Sequence, residues 1–205
     1  MGRSVRQKKR RVEELKMQIN LKSMMAALVT VAVIATGSVF ASPPVPSPES
    51  TAYLSERAST LLAEIQNEAA QLGPDAETLG TFARNPQYHW QSHAFYLERV
   101  KGHINAVGER TAELQQIRDS VLPWQLQAIS ELVPHAAQVA ASTQAAIMHL
   151  RENQNRLFVS EYREHLTTVA DRADDMKQTV DKFLNYEEAQ QKYLQLESEL
   201  ELTGD

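Results

Sequence analysis

A chain of 205 residues with no cysteine has no disulfides, no thiol catalysis, no cysteine metal site and no haem attached through cysteine. Eight of its 21 Lys and Arg lie in the first 41 residues, against two of its 26 Asp and Glu. Residues 42–205 therefore hold 13 basic and 24 acidic side chains, a net charge of −11 that argues against binding nucleic acid or an anionic lipid surface.

The first element is an apolar run without charge, Met24–Phe40 (MMAALVTVAVIATGSVF). The basic cluster Lys8, Lys9, Arg10 and Arg11 precedes it, followed by Lys16 and Lys22. Val39 and Ala41 end it with the short residues a signal peptidase accepts. A basic flank, an apolar stretch and a small-residue end make an export signal, so residues 1–41 are expected to be a signal peptide cleaved before Ser42. The alternative is an uncleaved membrane anchor, since 17 apolar residues are at the short limit for crossing a bilayer. The basic side of such an anchor would stay in the cytoplasm. Both readings put the bulk of the protein outside the cytoplasm, in the periplasm or the medium. Met17 is an alternative start. No cysteine follows the run, which excludes a bacterial lipid anchor.

Residues 42–50 (SPPVPSPES) hold four prolines and read as an extended, semi-rigid linker. Beyond them Gly is rare and no period-two apolar pattern occurs, so the remainder is expected to be helical. A first helix over about 50–72 carries Leu54, Ala58, Leu61, Ile65 and Leu72, and Gly73-Pro74 is expected to stop it. A short helix from Asp75 to about Ala83 follows. Asn85 and Pro86 are expected to cap and open the next helix. Its stripe is Trp90, His93, Leu97, Val100, Ile104, Val107, Thr111 and Leu114, in alternating steps of three and four.

Leu122-Pro123 opens a third helix with the stripe Ile129, Leu132, Ala136, Val139, Thr143, Ala146 and Leu150. Pro134 interrupts it and predicts a kink. After a turn over 153–159, Ser160 is expected to cap a fourth helix. Its stripe is Tyr162, Leu166, Val169, Ala173, Met176, Val180 and Phe183. Beyond Phe183 the apolar positions slip by one residue, to Tyr186, Ala189, Tyr193, Leu196 and Leu200. The pattern predicts an all-α fold: an elongated, antiparallel, four-helix-type bundle over 51–185 with a coiled-coil-like tail over 186–205.

Four stretches, HWQSHAFYLERV (89–100), LPWQLQAI (122–129), HLRENQNRL (149–157) with SEYREHL (160–166), and FLNYEEAQQKYLQLE (183–197), resemble a family of uncharacterised exported helical-bundle proteins of acidobacterial type. The resemblance spans about residues 75–200. It implies a shared fold and export, and it carries over no catalytic residue.

The segment 88–96 (YHWQSHAFY) is richest in functional side chains. His89 and His93 share a helical face at a spacing that can chelate a metal, and a hairpin centred near residue 121 brings His149 level with His93. The competing reading makes His93 a packed core histidine and His89 a solvated helix-end residue. His103, His135 and His165 read as seam positions between helices. A haem between His and Met, with Met176 as the stripe's methionine, is a further alternative, though Met there more often fills space. Thr111 and Thr143 are expected to bond back to their own helices. Trp124 is expected over the turn before it, and Trp90 at one end of the core. No phosphate loop, nucleophile elbow or catalytic triad occurs, so no enzyme activity and no cofactor are expected.

These features favour an exported interaction or structural module of the cell envelope. Its tail residues Tyr186, Ala189, Tyr193, Leu196 and Leu200 would bind a protein partner or a second copy. The alternatives are a small-ligand sensor using the Trp90/His93 end, or a histidine-based metal or haem carrier.

Overall fold

The computed structural model describes residues 48–202. The leader over 1–41 and most of the expected linker lie outside them. Four long helices follow in order: α1 Pro48–Phe82, α2 Trp90–Ile117, α3 Pro123–Glu152 and α4 Ser160–Leu202. A single 3-10 turn, Arg118–Ser120, sits between α2 and α3. The described residues form no strand. Each helix packs on the next and α4 closes back on α1, while the diagonal pair α1 and α3 barely touch. This is an all-α, up-and-down four-helix bundle.

The antiparallel course is legible in the polar pairs along each seam. Between α1 and α2, Arg57 meets Glu113 at 2.7 Å, Arg110 meets Glu64 at 2.6 Å, His103 meets Glu68 at 2.7 Å and Arg99 meets Asp75 at 3.0 Å. Position numbers rise on one helix as they fall on the other. These pairs are mostly half-exposed, so they set register more than they add stability. His103 is a seam residue, as its flank position predicts, and His135 lies 3.6 Å from Asp175 across the α3–α4 seam.

The core is built from the stripes. On α2 and α4 every stripe residue from His93 to Leu114 and from Tyr162 to Phe183 is buried. α3 buries Ile129, Leu132, Val139, Thr143, Ala146 and Leu150 and adds Gln125, Ala128 and Ile147. The Thr111 and Thr143 hydroxyls do not bond back to their helices. Both are buried without a hydrogen-bond partner, so each threonine serves the core by shape.

Four helix boundaries differ from expectation. Gly73-Pro74 does not stop α1, which runs unbroken from Pro48 to Phe82 with Pro74 inside it. Proline disfavours helix in the residue before it by clashing with that residue's Cβ and N–H, and Gly73 has no Cβ. The apolar stripe also keeps its phase across the pair, through Leu72, Ala76, Leu79 and Ala83, all buried. A methyl at Gly73 would sit 4.0 Å from Ala173, so two small residues face each other where α1 and α4 pass.

The expected cap at Asn85 is instead part of the α1–α2 turn, its side-chain oxygen accepting from Gln87 N–H at 3.0 Å. α2 starts at Trp90, with extended His89 before it. Ser160 is the first residue of α4 rather than its cap, the Val159 carbonyl accepting from Arg163 N–H at 3.4 Å. Pro48–Ser50, expected as linker, form the start of α1.

Pro123 does open α3. Gln125 Oε1 accepts from Leu122 N–H at 3.0 Å, one half of a capping box. Pro134 lies inside α3, where it removes the bond to the Ser130 carbonyl.

Candidate functional site

The tail grows directly out of the bundle. α4 is one helix of 43 residues, roughly 65 Å long at 1.5 Å per residue. Phe183, 5% exposed, is the last buried side chain among the described residues of α4. In an unbroken helix a one-residue slip turns an apolar stripe by about 100°. The new stripe therefore points away from the bundle that buries the old one. Tyr186 is 52% exposed, Tyr193 65%, Leu196 58% and Leu200 72%, and Ala189 is exposed as well.

The position that continues the old register is Glu187. It ends the bundle in a polar contact, its carboxylate accepting from Ser59 Oγ at 2.7 Å. Trp124 meets α4 at the same level, its ring 6.1 Å from Tyr186. Tyr186 and Glu187 thus still touch the bundle, one and two residues past the expected boundary at residue 185.

The apolar surface continues around this root. Leu122 just before α3, Leu126 on its first turn and Tyr53 on α1 are exposed at the same end. Leu194 is also exposed, off the stripe, and the heptad reading missed it because it breaks the period. Gln125 was missed as a structural residue as well. It is fully buried and bonds across the diagonal to α1, donating to the Ser55 carbonyl at 2.8 Å and to Ser59 Oγ at 3.0 Å. Ser55 Oγ in turn donates to Gln125 Oε1 at 3.1 Å. A buried glutamine beside two serines on another helix has no signature in a single stripe.

The opposite end carries the histidines and aromatics. His93 is 1% exposed, and its Nδ1 lies 3.2 Å from the hydroxyl of buried Tyr162. His149 stacks on the Tyr162 ring with centroids 5.2 Å apart, so His93 and His149 do lie level, with the phenol between them. His149 Nε2 faces the Arg156 carbonyl at 3.4 Å, and His89 is exposed before α2. The three histidines do not converge on one point. Among the described residues no group of three or more His, Asp or Glu could hold a metal ion. Met176 is fully buried within the α4 stripe.

A cavity of about 180 Å³ opens beside His93, lined by Phe82, Tyr88, Trp90, Phe158 and Asn155 among others. Trp90 thus sits at one end of the core as expected.

Burial lowers His93 to a pKa of about 4 and pushes the Tyr162 phenol up, so both are neutral near pH 7. The unfolded chain binds the His93 proton near 6.5, above the folded value. The associated stability is complete above pH 6.5 and is lost as pH falls from 6.5 towards 4, by about 1–3 kcal/mol. Urea unfolding at pH 7 and at pH 4.5 checks this. His93→Gln should flatten the difference between the two pH values, and an unchanged difference would remove His93 as its source.

Comparison with protein-family models, curated proteins and solved structures finds no match for this chain. No described helix is long and apolar enough to cross a membrane.

Proposed function

We propose that this protein is an extracytoplasmic, non-catalytic interaction module whose working surface is the α4 tail. One observation carries the reading: a helix continuous with a packed bundle presents an apolar heptad stripe to solvent. Scattered exposed apolar residues are ordinary, but a periodic stripe on a projecting helix is the pattern of a helix that docks on another. The bundle holds the tail's root in place, so binding loses less ordering entropy than it would for a free peptide. The leader over 1–41, as signal peptide or membrane anchor, gives the export half of the reading. The resemblance to exported helical-bundle proteins is consistent with it.

The test is capture of bound proteins from native extract by the full chain and by a Tyr193→Ser/Leu196→Ser variant. Both side chains are exposed, so the variant should keep its helicity and lie within about 0.5 kcal/mol of the parent in stability. The expected result is loss of captured protein, the chain's own copies included. An identical set of captured proteins would refute the tail as the working surface. A reporter fused after Asp205 tests export, since it should be active only if it works outside the cytoplasm.

The cavity beside His93 supports a second reading, a binding bundle for a small aromatic or apolar ligand. It ranks below the first because about 180 Å³ falls short of the roughly 300–1,000 Å³ of ordinary ligand pockets. A thermal-shift screen addresses it.

A further inference from the structure

Resting on the second of those readings, we infer that the cavity beside His93 takes a small, uncharged, single-ring aromatic molecule that bears a hydrogen-bond acceptor. Size sets the single ring. A cavity of about 150 Å³ holds one benzene. This one measures about 180 Å³ and is partly open to solvent. Its lining comes from the end of α1, the α1–α2 turn, the start of α2 and the α3–α4 turn. Each turn is held by its own hydrogen bonds, Tyr88 N–H donating to the Asn85 carbonyl at 3.2 Å and Arg156 N–H to the Asn153 carbonyl at 2.8 Å. The walls are thus in place before a ligand arrives, and binding loses little ordering entropy.

Four aromatic side chains, besides the histidines, line the cavity, and two of them are unmatched. Phe82 and Tyr88 stack on each other with centroids 4.1 Å apart. Trp90 is half-buried and Phe158 is 53% exposed, and neither meets another ring among the described residues. A flat aromatic ligand covers both and gains ring contacts that a saturated ring of the same size lacks. None of the eleven lining residues is Lys, Arg, Asp or Glu. A charged ligand would lose its water with no opposite charge to receive it, so the ligand is uncharged.

His93 sets the acceptor. It is 1% exposed, it lines the cavity, and its Nδ1 lies against the Tyr162 hydroxyl at 3.2 Å. Tyr162 is fully buried, and Nδ1 is the one acceptor its O–H meets among the described residues. A buried hydroxyl hydrogen without an acceptor is costly, so the phenol donates to Nδ1. In a neutral imidazole the proton then sits on Nε2. No described residue accepts it. The side-chain polar atoms that are both enclosed and unpartnered belong to Asp75, Thr111, Trp124 and Thr143. Nε2 is not among them, so the small exposed area of His93 includes Nε2 and opens on the cavity. It is a donor fixed by a buried partner, and a carbonyl or hydroxyl oxygen on the ligand matches it.

The test titrates the full chain with four probes and reads the side-chain NMR signals of Trp90 and His93, which locate the site. Benzamide, an uncharged ring with a carbonyl, should shift both signals saturably, with a dissociation constant of about 1 mM or tighter. Toluene lacks the acceptor, cyclohexanecarboxamide lacks the aromatic ring, and benzoate is charged. Each should bind at least about fivefold more weakly. His93→Leu should weaken benzamide about tenfold, to the level of toluene. Because His93 is buried, Phe158→Ala, at an exposed side chain, guards against a folding failure and should weaken benzamide about fivefold. Phe95→Ala, at a ring 61% exposed and outside the cavity, should leave it unchanged.

Toluene as tight as benzamide would overturn the acceptor, cyclohexanecarboxamide as tight would overturn the aromatic ring, and benzoate as tight would overturn the absence of charge. In each of these cases the cavity reading itself stands. Equal benzamide affinity in Phe158→Ala and Phe95→Ala would place the site elsewhere and overturn the inference. If no probe shifts Trp90 or His93, the inference and the cavity reading fall together, and the tail reading is untouched.

Discussion

Replacing Leu150 by Ala should lower the unfolding free energy by about 2–5 kcal/mol, and Leu97→Ala should do the same. Both side chains are fully buried, on the last turn of α3 and the second turn of α2. Each truncation loses the transfer energy of the removed carbons and opens a cavity that the stiff helices around it only partly fill. The spread depends on how far the site collapses. Urea titration gives the number, and Leu200→Ala, at a side chain 72% exposed, serves as the control with a change of about 0.5 kcal/mol or less. A loss under about 0.5 kcal/mol at both Leu97 and Leu150 would mean that the stripes do not form the core.

Replacing Gln125 by Leu should cost about 2–4 kcal/mol, although the new side chain is apolar and similar in size. The glutamine amide uses both ends. It receives Leu122 N–H and Ser55 Oγ–H, and it donates to the Ser55 carbonyl and to Ser59 Oγ. Leucine satisfies none of these, and the groups left behind lie in a part-buried layer that water reaches poorly. The network also supports the tail, because Ser59 is the donor to Glu187. Gln125→Glu discriminates size from hydrogen bonding: it keeps the acceptors and loses the donors. A Gln125→Leu protein as stable as the parent would show that the diagonal contact between α1 and α3 is incidental.

The fold was legible because burial here follows one rule along each helix. An amphipathic helix in a bundle buries what recurs in steps of three and four, so the stripes of α2 and α4 named nearly every core residue. The same rule located the tail, since a slip against a constant helical period can only turn the apolar face away. The errors came from local chemistry overruled by packing. Gly-Pro and Asn-Pro are strong punctuation in isolation. At Gly73-Pro74 an in-phase stripe outweighed them, while at Asn85 the side chain was used inside the turn instead.

The aromatic end was half legible. Sequence spacing put His93 and His149 level, but it could not show that Tyr162 fills the space between them, because that phenol comes from a third helix. Gln125 was illegible for the same reason. Its partners are 66 and 70 residues away, and a polar residue between helices has no period to betray it.

The central claim is that the tail serves binding and not the bundle's own stability. The most direct measurement is a chain ended after Glu188, which keeps the Tyr186–Trp124 and Glu187–Ser59 contacts and removes the exposed stripe from Ala189 onward. Thermal unfolding and light-scattering mass are then compared with the full chain. The account predicts a melting temperature within about 3 °C of the full chain, as expected for loss of a solvated helix end, and loss of the associated species. A melting temperature lowered by about 10 °C or more, with association unchanged, would show that the tail is part of the core and would contradict the account.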